Sequence, residues 1–118
     1  GRIASHVATF TNAHVTGMNI DTNQIESANQ YILGKGLTDR CQFRIADLND
    51  LPLPFPDNSF DAVYEVGVFT YSKDLKKLFQ EIRRILKPGG KFAALDWIRL
   101  PNFDPSNPHH ADLMRRIK

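Results

Sequence analysis

The stretch His14-Val15-Thr16-Gly17-Met18-Asn19-Ile20-Asp21 reads as a short buried strand that runs straight into the first turn of a helix. In an open α/β sheet, that carboxyl-end edge is where ligands bind. Asn19 and Asp21 put polar side chains at the edge, and Ile20 puts a flat apolar surface between them. An ordinary strand-to-helix turn, with Asp21 as the helix cap, accounts for the same three residues. The choice between a binding edge and a plain turn depends on what the rest of the chain places beside it.

Working outward, Arg2 to Thr11 carries Ile3, Val7 and Phe10 at helical spacing, which predicts a short amphipathic helix starting at the first residues. Gly1 just before it suits a loop where backbone approaches a ligand closely. Downstream, Asp21-Thr22-Asn23-Gln24 has the form of a capping box. Ile25, Ala28 and Ile32 give the helix it opens a buried stripe, and Gly34 and Gly36 stop it. Cys41-Gln42-Phe43-Arg44-Ile45-Ala46 alternates as a strand that ends at Asp47. The prolines of Leu51-Pro52-Leu53-Pro54-Phe55-Pro56 remove donors and fix φ, so an extended loop is expected there, with a turn at Asp57-Asn58-Ser59.

Phe60 to Val66 reads as a second strand. Asp74 to Leu86 reads as the clearest helix, with Leu75, Leu78, Phe79, Ile82, Ile85 and Leu86 on one stripe and Lys76, Lys77, Arg83 and Arg84 on a solvated face. Lys87-Pro88-Gly89-Gly90 is expected to end that helix in a turn that reverses the chain. Phe92 to Trp97 then forms the next strand, and a last helix starts near His109. Helices alternating with strands in this way predict an α/β fold: a parallel sheet with helices on both faces, in one domain covering 1–118.

Composition narrows the class. The net charge of +2 is too balanced for a nucleic-acid surface, and the basic residues fall on one helix and in the last few positions. The single cysteine, Cys41, rules out an intramolecular disulfide, and with no N-x-Ser/Thr sequon it points to a reducing, cytoplasmic setting. It begins a strand and reads as a small core residue. No apolar run approaches the roughly 18 residues that span a bilayer. His109 and His110 have no third ligand at metal-binding spacing, so no metal site is expected. The chain opens on Gly1 directly before a helical pattern and stops within another at Met114-Arg115-Arg116-Ile117-Lys118, which reads as a fragment.

Three strand ends carry polar residues: Asn19 with Ile20, Asp47 with Leu48, and Glu65 with Val66. Parallel strands bring their carboxyl ends to one side, so these groups converge although distant in sequence. Asn19 can bond a ribose hydroxyl, Asp47 can accept from an adenine amino group, and Ile20 and Leu48 can sandwich the ring.

Here the sequence resembles a known family. Gly1, Gly17-Met18-Asn19, Ala46-Asp47-Leu48, Leu51-Pro52 with Phe55, Asp57-Asn58-Ser59-Phe60-Asp61 and Leu86-Lys87-Pro88-Gly89-Gly90 are similar to class I S-adenosylmethionine-dependent methyltransferases, which have a Rossmann-like fold. Phe92-Ala93, Asp96-Trp97, Phe103-Asp104, Asn107-Pro108, His110, Asn19 and Tyr64 resemble the sterol C-24 methyltransferases among them. The resemblance implies S-adenosyl-L-methionine as cofactor. Gly1 would be the last glycine of a glycine-rich loop whose other glycines, with the first strand, precede residue 1. Asn19 would hold the ribose, Ile20 would pack on adenine, Asp47 and Leu48 would read its edge, and Val66 would lie by the methionine part. It also implies a lipid-like or small organic acceptor; taken with the charge balance and the single cysteine, the expectation is a cytoplasmic enzyme with no nucleic-acid partner that can work peripherally at an internal membrane.

One departure bears on the acceptor. Where sterol methyltransferases carry an Ile-Glu-Ala-Thr-Cys-His run, this chain reads Val66-Gly67-Val68-Phe69-Thr70-Tyr71, so the family's acidic residue falls on Gly67 and its histidine on Tyr71. Methylating an alkene creates a carbocation that needs a carboxylate or an aromatic face. Tyr71 is the candidate catalytic residue, through its ring or hydroxyl, and Trp97 at a strand's carboxyl end is a candidate for substrate contact. Two further readings stand beside methyl transfer. One is a nicotinamide dehydrogenase, for which the expected G-x-G-x-x-G is not seen; the other is a methyltransferase-like binding protein without acceptor chemistry.

Overall fold

The computed structural model describes residues 1–117. In chain order the elements are α1 (Arg2–Thr11), β1 (Val15–Asn19), α2 (Thr22–Gly34), β2 (Cys41–Ile45), β3 (Phe60–Val66), a 3-10 turn (Phe69–Tyr71), α3 (Leu75–Ile85), β4 (Leu86–Leu95) and α4 (Pro108–Ile117). β1 pairs parallel with β2, from Val15 opposite Cys41 to Asn19 opposite Ile45. β3 pairs parallel with β4, and Val66 lies opposite Leu95.

The expected helix–strand alternation and parallel pairing are both present, but the strands form two separate two-stranded sheets rather than one. Parallel strands need a crossover rather than a hairpin, and α2 and α3 supply one in each pair. Among the described residues no ladder joins β1 to β3, so each keeps an edge with no strand beside it. The accessible area of 9009 Å² is well above the roughly 6,500 Å² of a compact chain of this mass.

Two apolar clusters lie on opposite faces of the strands, as period-two alternation requires. One joins Ala4 and Ala8 of α1, Val15 of β1, Ile32 of α2 and Cys41 of β2, with Phe43 packed against it. The other joins Leu78, Ile82 and Ile85 of α3 to Leu53 of the proline-rich loop, with Val63 of β3 and Phe92 of β4 beside them. Met18 of β1 also packs against this second cluster, so it reaches across the gap between the two sheets. Helices thus cover both faces.

Several local expectations hold for stated reasons. Asp21 caps α2, accepting from the backbone N–H groups of Asn23 and Gln24, and Ile25, Ala28 and Ile32 are the buried stripe. Cys41 is a core residue, and burial pushes its thiol pKa up. Gly17 lies opposite Phe43, and a Cβ there would come within 2.6 Å of the Phe43 ring, so the glycine makes room for that ring.

Three expectations are corrected. α1 buries Ala4, Ser5 and Ala8, while Ile3 and Phe10 are exposed. A small-residue face lets the helix approach closely: a Cβ on Gly1 would meet the Ala28 backbone at 3.1 Å, and the Cys41 thiol donates to the Ala4 carbonyl at 3.8 Å. The Lys87–Gly90 turn does not precede the strand expected from Phe92, which begins earlier, at Leu86. The segment lies within β4 as an irregularity between the Phe60–Leu86 and Ala62–Lys91 pairs, with Gly89 at φ 79°. Finally, Arg84 is not part of the solvated face of α3. It turns to the proline-rich loop, donating to the Leu53 and Phe55 carbonyls and to Glu81 and Asp57.

Candidate cofactor and acceptor edge

The carboxyl ends of β1 and β2 meet at one edge, where the Ala46 N–H donates to the Asn19 carbonyl at 3.0 Å. The Asn19 side chain is half-buried and held in place. Its Oδ1 accepts from the Asp21 N–H at 3.0 Å and its Nδ2 donates to Gln24 Oε1 at 2.9 Å. Gln24 thus accepts from the Asn19 side chain rather than from the backbone N–H of the helix cap. Ile20, next in the chain, is 64% exposed and offers the apolar surface expected of it. Gly1 sits at the N-terminus of α1, whose first turn has no side-chain cap.

Asp47 follows β2, and its Oδ1 accepts the Asn49 N–H at 2.8 Å. This fixes the carboxylate at the edge while leaving acceptor capacity for a further donor. Leu48 turns partly into the α3-side cluster, so Ile20 is the freer apolar surface of the two.

At the other pair of strands, Val66 ends β3 with its side chain exposed, and Gly67 follows at φ 67°. The 3-10 turn comes next and is gripped from three elements. Glu65 Oε2 accepts from the Val68 N–H at 2.9 Å, and Asp96 Oδ2 accepts from the Thr70 N–H at 3.0 Å. Asn49 donates through Nδ2 to the Tyr71 carbonyl at 3.1 Å and accepts at Oδ1 from the Lys73 N–H at 2.8 Å. Glu65 is only 8% exposed, and its Oε1 is buried with no hydrogen-bond partner among the described residues. Tyr71 and Trp97 are 73% and 77% exposed, so neither ring is a core residue. The Asn49 bonds tie the loop after β2 to the turn after β3.

Asn49, Glu65 and Asp96 were not singled out from the sequence for this role. The available signal was weak, since a polar residue just after a strand is a common turn residue. No group of three or more His, Cys, Asp or Glu residues able to hold a metal occurs among the described residues. No helix among them is long and apolar enough to cross a membrane.

The residues of the β1–β2 edge fit an adenosyl group in their chemistry: the carboxamide of Asn19, the carboxylate of Asp47 with acceptor capacity to spare, and the exposed aliphatic side chain of Ile20. The profile of the methyltransferase domain family matches residues 1–94. The chain belongs to that family. Over all of its 118 residues the methyltransferase domain is 38% identical to sterol 24-C-methyltransferase erg-4 of Neurospora crassa, covering 31% of that protein. It is 38% identical over 112 residues to cycloartenol-C-24-methyltransferase of Arabidopsis thaliana, covering 95% of this chain and 33% of that one. The chain therefore spans about a third of the length of these curated relatives. Among solved structures it superposes on a protein of Galdieria sulphuraria, provisionally assigned as a sarcosine dimethylglycine methyltransferase, with a TM-score of 0.84. That match has 27% identity over 97% of this chain and 42% of the other. The fold of the methyltransferase domain is thus the Rossmann-like class I methyltransferase fold that the sequence resemblance implied.

Proposed function

We propose that the full-length protein transfers the methyl group of S-adenosyl-L-methionine to a lipid-like acceptor of the sterol class. The observation that carries this reading is the meeting of the carboxyl ends of β1 and β2, which bear Asn19, Ile20 and Asp47, in a chain that also exposes apolar residues at the ends of β3 and β4. When bound, the cofactor supplies an electrophilic methyl group on a sulfonium. Asn19 would hold the ribose, its carboxamide exchanging the bond to Gln24 for one to a hydroxyl. Ile20 would cover the adenine face, with Leu48 contributing less because it packs inward. Asp47 would accept from the adenine amino group while the Asn49 N–H keeps its carboxylate oriented. Gly1 would belong to the loop that approaches the cofactor, and Val66 would lie by its methionine part.

An apolar acceptor is supported by Val66, Val68, Leu95, Trp97 and Ile98, all exposed near the carboxyl ends of β3 and β4. Such a surface excludes water from an acceptor and aligns it, which are the enzyme's main tasks when the leaving thioether needs no acid. Tyr71 would offer its ring or hydroxyl at the acceptor, and Trp97 would contact it. An acceptor of this kind resides in membranes, which favours a cytoplasmic protein working peripherally at an internal membrane; co-sedimentation with liposomes checks this. The unpaired edges of β1 and β3 support a further reading, that a strand elsewhere in the full-length protein fills the position between them. That strand and its following glycine loop would complete the cofactor site, and a structure of the full-length protein tests this directly.

A second reading is favoured by Gly67, which by the sequence resemblance falls where sterol methyltransferases would carry their acid. It is a methyltransferase-like protein that binds cofactor and ligand without transferring the methyl group. Transfer of labelled methyl from S-adenosyl-L-methionine by the full-length protein separates the two. Label in a sterol extract supports the first reading, label only in a pool of small amines and acids overturns the acceptor class, and binding with no label anywhere favours the second.

A further inference from the structure

We infer that Asn49 is a positioning residue that ties the adenine side of the site to the turn carrying Tyr71. The inference rests on the proposed binding of S-adenosyl-L-methionine through Asp47. A continuous run of hydrogen bonds leads from one side to the other: Asp47 Oδ1 accepts the Asn49 N–H at 2.8 Å, and the Asn49 carboxamide grips the Tyr71 carbonyl and the Lys73 N–H. One end of the carboxamide donates and the other accepts, so its orientation is set by its partners and the two bonds resist twisting of the turn together. The chain separations are 22 and 24 residues, so no local turn geometry requires these contacts.

The other polar grips on the turn come from its own side of the molecule, from Glu65 at the end of β3 and Asp96 just after β4. Among the described residues, Asn49 is the side chain whose hydrogen bonds reach the turn from the β2 loop. Leu48 and Phe69 meet the same α3-side cluster, so apolar packing runs alongside the polar link but cannot fix the orientation of the turn backbone. A ligand that holds the Asp47 carboxylate still also holds the Asn49 backbone, and through its side chain the Tyr71 carbonyl. Loading the adenine side therefore orders the acceptor-side turn before an acceptor arrives. The coupling is a claim about two sites sharing one element, and its warrant must be a measured coupling rather than proximity.

Amide hydrogen exchange of the full-length protein, with and without S-adenosylhomocysteine, provides that measurement. The amides of Val68, Phe69, Thr70 and Tyr71 are the readout because none of them bonds to Asn49, so loss of a direct contact cannot mimic loss of coupling. In the unaltered protein the ligand is expected to slow their exchange by about fivefold or more, the low end of ordinary site-to-site coupling. In Asn49→Ala the ligand still binds by calorimetry but the slowing disappears. Asn49→Asp keeps the acceptor for Lys73 and loses the donor to Tyr71, so it is expected to retain part of the slowing, and it decides the matter if the alanine variant does not fold. Full slowing in a variant that binds, or none in the unaltered protein when it binds, overturns the role of Asn49. Failure of the unaltered protein to bind S-adenosylhomocysteine overturns the cofactor reading itself.

Discussion

Arg84 and Glu81, three residues apart on α3, meet twice: Arg84 Nε donates to Glu81 Oε1 at 2.9 Å and Nη2 to Oε2 at 2.8 Å. The pair secures the proline-rich loop, whose backbone has no ladder to join. Glu81 Oε2 accepts the Leu53 N–H at 2.7 Å, and Arg84 donates to the Leu53 and Phe55 carbonyls. A rigid planar fork is needed to reach these acceptors at once. Arg84→Ala is expected to lower stability by about 1.5–3 kcal/mol, the range for hydrogen bonds to charged groups, and Arg84→Lys to recover only part of it. Urea unfolding of the full-length variants measures both.

The same pair has a pH signature. The hydrogen bond from Arg84, helped by the Leu53 N–H, holds the Glu81 carboxyl below its usual range although burial works the other way. A carboxyl lowered in the folded state binds its proton more readily when unfolded, so stability falls as pH falls. The contribution of Glu81 is fully present above its unfolded pKa of about 4.3 and is lost as pH drops through the lower folded value. The urea midpoint of the unaltered protein should therefore fall more steeply below about pH 4.5 than that of Glu81→Gln. Parallel curves would remove Glu81 from the account.

Gly17 and Gly90 are required for space. A Cβ on Gly17 would lie 2.6 Å from the Phe43 ring, and one on Gly90 would lie 2.8 Å from the Lys87 carbonyl oxygen and 3.1 Å from that of Asp61. Gly17→Ala is expected to cost about 1–3 kcal/mol by overpacking. Gly90→Ala should cost at least as much, since backbone cannot swing aside as a ring can. Gly34→Ala is the control: it lies in α2 with no atom within 4 Å of the added Cβ, and it should gain about 0.5–1 kcal/mol. Thermal unfolding ranks the three.

Gly67 is required for conformation. Its φ of 67° is left-handed, and an added Cβ would meet nothing within 4 Å. Gly67→Ala and Gly67→Glu should each cost about 1–2 kcal/mol, because the penalty belongs to the backbone and not to the side chain. A much larger cost for Glu would mean that the carboxylate is forced against a neighbour. Gly67 is thus required where the chain leaves β3 for the turn that carries Tyr71.

What the sequence made legible was local. The Asp21 cap and the Ile25, Ala28 and Ile32 stripe of α2 depend on neighbours within one or two helical turns, and periodicity reads those directly. α1 was read by its largest side chains, Ile3 and Phe10, whereas close approach to β2 and α2 selected its smallest face, Ala4 and Ala8. The strand-end residues Asn19, Ile20 and Asp47 stood out because parallel topology requires their ends to converge. Asn49 and Arg84 did not, because their partners lie more than twenty residues away and no spacing rule links an asparagine to a distant carbonyl. The split into two sheets was equally hidden, since alternation of helices and strands does not say which strands are neighbours.

The central claim, an adenosyl site built on Asp47 and Asn19, is tested most directly by calorimetric titration of the full-length protein with S-adenosyl-L-methionine and, separately, with NAD. The account predicts saturable binding of S-adenosyl-L-methionine and none of NAD. It also predicts that Asp47→Asn, which keeps the acceptor for the Asn49 N–H but puts a donor toward the adenine amino group, weakens binding by about 1–3 kcal/mol. Binding of NAD instead, or an affinity for S-adenosyl-L-methionine unchanged in Asp47→Asn, would contradict it.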